Sequence, residues 1–241
     1  MKRVHVNRIS VFMLSVFVAL LCTSAFSQNS ALKVEPRTDD WWKARHQSMN
    51  DQVKKGDVDL IFIGDSITHG WEGAGKATWA QYYAKRKAVN LGISGDRTQH
   101  VMWRLDNGNI DGISPKLAVI MIGTNNAESN SPEEIAEGIT AIVKKLRDKL
   151  PNTKILLLAV FPRSEKPDAL RAKLDTVNGI IAKLDDTKMV RFLDIGPKFL
   201  EKDGTLPASI MPDALHPNDK GYEIWAQAIE HSVAELMGEK K

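Results

Sequence analysis

Cysteine is almost missing from this 241-residue chain: Cys22 is the only one, and it falls in an apolar stretch near the N-terminus. A scaffold stapled by disulfides is therefore excluded. Long hydrophobic runs are scarce too. The one from Ile9 to Cys22 is too short, and too closely followed by polar residues, for a comfortable membrane span. No Gly-Lys-[Ser/Thr] of a phosphate loop occurs, and no Gly-x-Gly-x-x-Gly follows a strand. Nor is there a His-x-x-x-His pair or a dense carboxylate cluster of the kind that holds zinc. An excess of one charge is also lacking, once the N-terminus is set apart. Lys2, Arg3 and Arg8 precede the apolar run and Ala25-Phe26-Ser27 follows it, the layout of an export signal cleaved near Ser27. That segment carries three of the 33 basic residues and none of the 30 acidic ones, so 30 face 30 in the remainder. The basic balance thus belongs to the leader and implies no nucleic-acid partner. Leu21 before Cys22 is bulkier than lipoprotein processing tolerates, so no stable membrane anchor is expected. The expected organisation is a signal peptide over 1–27 and one domain over 28–241, in a secreted or periplasmic protein.

What is present is a repeated alternation of apolar runs and amphipathic segments. Leu60 to Ile63, Lys87 to Leu91, Leu117 to Ile122, Ile155 to Val160 and Val190 to Ile195 read as five strands. Most lack in/out alternation, as strands covered on both faces do. Between them, Trp79–Arg86, Arg97–Leu105 and the segment after Ser131-Pro132-Glu133-Glu134 read as helices, the last opened by a capping box with proline at its first position. Leu170, Leu174, Val177, Ile181 and Leu184 share one face of another helix, and a final one runs from about Pro217 to Leu236. Trp41-Trp42 is expected to anchor an N-terminal helix through buried indoles. The pattern predicts an α/β fold, a five-stranded parallel sheet flanked by helices in three layers.

Polar groups gather at the ends of these strands. Gly64-Asp65-Ser66 follows the first, Gly95 the second and Asn125 the third; Asp213-Ala214-Leu215-His216 lies near the C-terminus. Gly, Asp and Ser also make ordinary turns. Right-handed crossovers, however, bring all strand ends to one rim, where open α/β folds bind ligands. A serine hydroxyl needs a base, and His216 is the candidate, with Asp213 three residues earlier to orient its ring. The N–H groups of Ser66 and Gly95 and the side-chain amide of Asn125 would stabilise a developing oxyanion, each donor contributing about 3–4 kcal/mol. Glycine at 95 is expected because no Cβ then blocks the oxyanion's approach. Among the other histidines, His69 is expected to be carried away from Ser66 by the following helix. His100 lies near the rim, with Asp96 as a carboxylate partner or a helix cap. His46 has no carboxylate close behind it, His231 falls on a surface helix, and His5 leaves with the leader. A metal held by Asp65, Asp213 and His216 is the nearest rival chemistry. Thr68 stands where Gly-x-Ser-x-Gly needs its second glycine, which disfavours the common α/β-hydrolase elbow.

The Gly-Asp-Ser block at Ser66, the block with Gly95, Gly-Thr-Asn-Asn with Asn125 and Asp-x-x-His with His216 occur in the order of the GDSL esterases, or SGNH hydrolases. Over roughly Asp57 to Leu236 the chain resembles that family. Within it, Asn90 to Leu105 and Ala159-Val160-Phe161-Pro162-Arg163 are similar to blocks of the catalytic subunits of intracellular platelet-activating-factor acetylhydrolases. The resemblance implies a flavodoxin-like fold, removal of short acyl groups with acetyl foremost, no metal or cofactor, and a homodimer. Those subunits are cytosolic, whereas this chain begins with an export signal. The expected substrate is therefore an acetylated carbohydrate, with lysophospholipids or thioesters as alternatives and a non-catalytic glycan-binding module as a further one. Trp71, Tyr82, Tyr83 and Trp103 are candidate sugar-stacking faces, or simply core.

Overall fold

The computed structural model describes residues 28–239; the leader read over 1–27 lies outside them. Five short strands form one parallel sheet: β1 (Leu60–Gly64), β2 (Ala88–Gly92), β3 (Leu117–Met121), β4 (Lys154–Leu158) and β5 (Val190–Leu193), in the order β2-β1-β3-β4-β5. That is the flavodoxin-like order expected. β1 lies between β2 and β3, with Leu60 registered against Ala88 on one side and Leu117 on the other. The chain therefore reverses its direction of sheet growth after β2, and the switch point lies at the carboxyl ends of β1 and β3.

Alternate residues of each strand face opposite layers. Ile61, Ile63, Ala118, Ile120, Ile155 and Leu157 pack under α1 (Asp40–Val53), α4 (Thr98–Asp106), α5 (Pro132–Lys149) and α6 (Ala169–Ile181). Leu60, Phe62, Val119, Met121 and Leu156 face the other layer, where they are covered by α3 (Lys76–Tyr82), by Trp71 and Tyr83 on either side of it, and by Tyr222 and Trp225 of α7 (Asp219–Met237). A one-turn helix, α2 (Ser66–His69), follows β1 directly. Fully burying one large aliphatic side chain contributes about 1.5–3 kcal/mol. In a chain without disulfides, these two apolar layers carry the stability.

Local chemistry sets the helix ends. Ser131 Oγ accepts the Glu134 N–H at 3.2 Å and the Glu134 carboxylate accepts the Ser131 N–H at 3.0 Å, the capping box expected from the sequence. α7 starts two residues later than expected because Asn218, whose side chain accepts the Gly221 N–H, is its cap. The Trp pair divides: Trp42 is buried against the core, whereas Trp41 is 48% exposed with the Arg37 guanidinium 5.0 Å from its ring. Adjacent helical residues point about 100° apart, so both indoles cannot share the inward face. Among the described residues, no helix is long and apolar enough to cross a membrane.

Candidate active site

β1 ends at Gly64, where a Cβ would lie 2.1 Å from Thr68 Oγ1 and 2.4 Å from the Met121 carbonyl oxygen. Only glycine lets the strand run this close to both and turn at once into α2. Asp65 caps that turn, Oδ1 accepting the Ile67 N–H at 3.0 Å. Its other oxygen is buried without a partner. Burial pushes the Asp65 carboxyl up to about 7, against the Ile67 hydrogen bond and with help from nearby Asp96. Ser66 is thus delivered at the rim by a buried, partly protonated carboxyl.

Ser66 Oγ lies 2.8 Å from His216 Nε2, and His216 Nδ1 lies 2.6 Å from Asp213 Oδ2. An ionised carboxylate only accepts, so Nδ1 carries the proton and Nε2 presents a lone pair to the hydroxyl. Asp213 Oδ1 accepts the N–H groups of Leu215 and His216 at 3.1 and 2.7 Å, closing a tight turn with Ala214 at φ 56°. Partial burial works to raise the Asp213 carboxyl, but the His216 ring and these N–H groups outweigh it and hold it below the usual carboxylate range.

The oxyanion candidates belong to two neighbouring turns. The N–H groups of Ser66 and Gly95 meet no backbone acceptor among the described residues. One N–H of the Asn125 amide donates to the Asp96 carbonyl at 2.9 Å; an amide nitrogen has a second to offer. Gly95 has a backbone reason to be glycine as well. It sits at φ +79°, and a Cβ there would lie 2.7 Å from Arg37 Nη1, which donates to the Ser94 carbonyl. The left-handed backbone strains any side chain there, and the end of the Arg37 side chain would have to move aside for one.

Beneath these turns lies a buried ion pair. Asp96 is no helix cap; Arg97 takes that position. The Asp96 carboxylate accepts from Arg104 Nε at 2.8 Å and from Trp42 Nε1 at 2.7 Å. Arg104 also donates to the carbonyls of Leu91 and Gly64 and to the Asn109 side chain. One guanidinium therefore ties the ends of β1 and β2 to the turn that carries Gly95.

The remaining histidines part company with expectation at one point. His69 is not carried away from Ser66: both line a cleft of about 610 Å³, together with Glu72, Ser94, His216 and Tyr222. Residues three apart lie on one side of a helical turn, and that spacing is the signal that finds His69. Its Nδ1 lies 2.9 Å from Ser94 Oγ, and burial, aided by Arg45 and opposed by Glu72, pushes its pKa down. Glu72 accepts from Arg45 Nη2 and Nη1 at 2.9 and 3.0 Å. Tyr222 donates its hydroxyl to the Ile67 carbonyl at 2.7 Å, bracing α2. His46 is buried, stacked on Trp42 at 5.5 Å. His100 Nδ1 accepts the Arg97 N–H, and the His231 side chain is 70% exposed. Trp71 and Tyr83 are core, and Trp103 packs on Trp42 and His46. Among the described residues, no three His, Cys, Asp or Glu side chains are grouped as a metal site requires.

Known proteins resemble this chain in sequence and in fold. The model of the GDSL-like lipase/acylhydrolase family matches residues 62–224. The chain is 36% identical over 202 residues to platelet-activating factor acetylhydrolase IB subunit alpha2 of Rattus norvegicus, covering 83% of this chain and 87% of that protein. It is 33% identical over 220 residues to the human alpha1 subunit, covering 88% and 93%. Among solved structures, a GDSL-like lipase from Bacteroides thetaiotaomicron superposes with a TM-score of 0.65 at 22% identity, over 80% of this chain and 97% of that one. An acetylxylan esterase from Geobacillus stearothermophilus gives 0.60 at 22%, over 77% and 96%. At these identities the structural likenesses speak for the fold.

Proposed function

The chain belongs to the GDSL-like lipase/acylhydrolase family and is a carboxylic ester hydrolase, and from that premise we propose that it removes acetyl groups from carbohydrate outside the cytoplasm, using Ser66 as nucleophile. The observation that carries the reading is the hydrogen-bonded chain Ser66–His216–Asp213, at 2.8 and 2.6 Å, opening on the cleft.

In this mechanism His216 Nε2 takes the Ser66 proton as Oγ attacks the ester carbonyl. Asp213 keeps the ring oriented and stabilises the imidazolium. The N–H groups of Ser66 and Gly95 and the free N–H of Asn125 receive the oxyanion. Collapse of the tetrahedral intermediate expels the alcohol, which takes the proton back from His216. Water, activated by the same imidazole, then releases acetate from Ser66.

Acetyl as the acyl group is supported by the names of the 33–36% identical relatives. For the alcohol, the cleft wall offers a carboxylate, Glu72, and the half-buried His69 imidazole, whose pKa is lowered. The guanidiniums nearby are engaged, Arg45 with Glu72 and Arg37 with Asp39. Such a wall suits hydroxyl groups and opposes a phosphate-bearing alcohol. The extracytoplasmic site of action rests on the leader-like residues 1–27.

The test is release of p-nitrophenol from p-nitrophenyl acetate, and of acetate from acetylated sugars, by the wild type and Ser66→Ala. The alanine variant should lose at least about a thousandfold in kcat. Equal rates in the two proteins would end the proposal.

A further inference from the structure

A second cleft, of about 360 Å³, opens beside the first, and Glu72 lines both. Its other walls include Gln52, Trp71, Lys76, Trp79 and Asn90. Trp79 is half-buried. Its ring is held edge-on by Phe62 at 5.1 Å and Tyr83 at 5.2 Å, so the indole is rigidly anchored while part of it meets the cleft. Gln52 and Lys76 are exposed, and neither side chain has a hydrogen-bond or ion-pair partner among the described residues. Glu72 forms the ridge between the clefts, fixed there by Arg45, whose Nε is tied in turn to the Gly92 carbonyl at 2.7 Å.

We propose that this second cleft is a subsite for a neighbouring sugar of an acetylated oligosaccharide, a role that rests on the carbohydrate reading of the first. The wall chemistry chooses the ligand. A rigid indole offers a flat apolar surface to the C–H face of a pyranose at little entropic cost. The Gln52 amide, Lys76 ammonium and Glu72 carboxylate supply the donors and acceptors that ring hydroxyls need. A lipid chain would offer no partner to the Gln52 amide or the Lys76 ammonium. Because Glu72 borders both spaces, one oligosaccharide can present an acetyl ester to Ser66 while its next ring lies against Trp79.

The experiment measures kcat/KM on p-nitrophenyl acetate, acetylated xylose and acetylated xylotetraose. Wild type should favour the tetramer over the monomer about tenfold. In Trp79→Ala, the ratio of kcat/KM on the tetramer to that on p-nitrophenyl acetate should fall by about the same factor, chiefly through KM. Gln52→Ala, at an exposed position, should lower the ratio several-fold, which keeps the test decisive should Trp79→Ala fold poorly. The subsite is refuted if wild type turns over monomer and tetramer equally well, or if the ratio is unmoved in Gln52→Ala and Trp79→Phe. If wild type hydrolyses p-nitrophenyl acetate but no acetylated sugar at all, the carbohydrate reading itself fails, a result distinct from equal use of both sugars.

Discussion

Two acid–base pairs sit at the carboxyl rim of the same sheet, alike in length and opposite in surroundings. Asp96 and Arg104 meet at 2.8 Å with both side chains at 0% exposure. Asp213 and His216 meet at 2.6 Å with 58% and 41% of their side chains exposed. The buried pair is chemically inert: arginine does not give up its proton, and every contact it makes is to a fixed carbonyl, amide or carboxylate. What it supplies is position, since the Asp96 carbonyl also receives Asn125 and the next residue back is Gly95. The exposed pair has the converse character. A four-residue turn aims it, it faces the open cleft, and its histidine is the base of the proposed mechanism. Burial turns a charge pair into scaffold, and exposure leaves it free for chemistry.

The contrast can be broken by swapping the expected consequences. Asp213→Asn should lower kcat on p-nitrophenyl acetate by about ten-thousandfold while leaving the thermal midpoint nearly unchanged; a large loss of stability would make this pair scaffold as well. Arg104→Met should destabilise by about 3–5 kcal/mol in urea unfolding, because it strands the Asp96 carboxylate in the interior. Adding Asp96→Asn should restore much of that loss, and a single variant with an unmoved urea midpoint would contradict the scaffold role.

Asn125→Ala sharpens the comparison where the two regions meet. A hundred- to thousandfold loss in kcat, with far-ultraviolet circular dichroism intact, is expected if its free N–H serves the oxyanion. An unchanged kcat would leave Asn125 as a mere prop for Asp96.

The smallest effects are titrations of buried groups around the scaffold. Burial, and then Arg104, pushes the His46 pKa down. The unfolded chain takes up this proton below about pH 6.5 while the folded chain resists it. Stability is therefore lost as pH falls from there, by up to about 1.4 kcal/mol per unit for one proton. The difference in urea midpoint between wild type and His46→Gln should move in the variant's favour on going from pH 7 to 5; a constant difference would show that His46 does not titrate this way. Asp65 has the opposite sign. Held protonated up to about 7, it favours the fold fully below about pH 4 and loses that contribution as pH rises through 7, a slope that Asp65→Asn should remove.

Much of the arrangement was legible in the residues. Unbroken apolar runs announced strands covered on both sides, and Ser131-Pro132-Glu133-Glu134 announced its helix start. Ser66 and the Asp213–His216 spacing nominated the polar chain seen at the rim. Other features escaped because they depend on direction. Sequence placed the Trp41-Trp42 pair on a helix but not its rotation, so one indole proved exposed. A one-turn helix keeps His69 beside Ser66, where a longer helix on another axis would have removed it. Asp96 read as a partner for His100 or as a cap, and Arg104, eight residues on, met it in the interior instead.

By itself, the sequence determined periodicity, strand-end chemistry and the order of the blocks, since these depend on neighbours along the chain. Tertiary structure alone decided which of two similar charge pairs was buried, that Gly95 turns left-handed beside Arg37, and that Glu72 borders two clefts. Those outcomes turn on solvent exclusion and on contacts between segments far apart in the chain. Arg37 reaches Ser94 across 57 residues and His216 reaches Ser66 across 150. No local pattern encodes such a distance; the packing of helices on both faces of the sheet creates it.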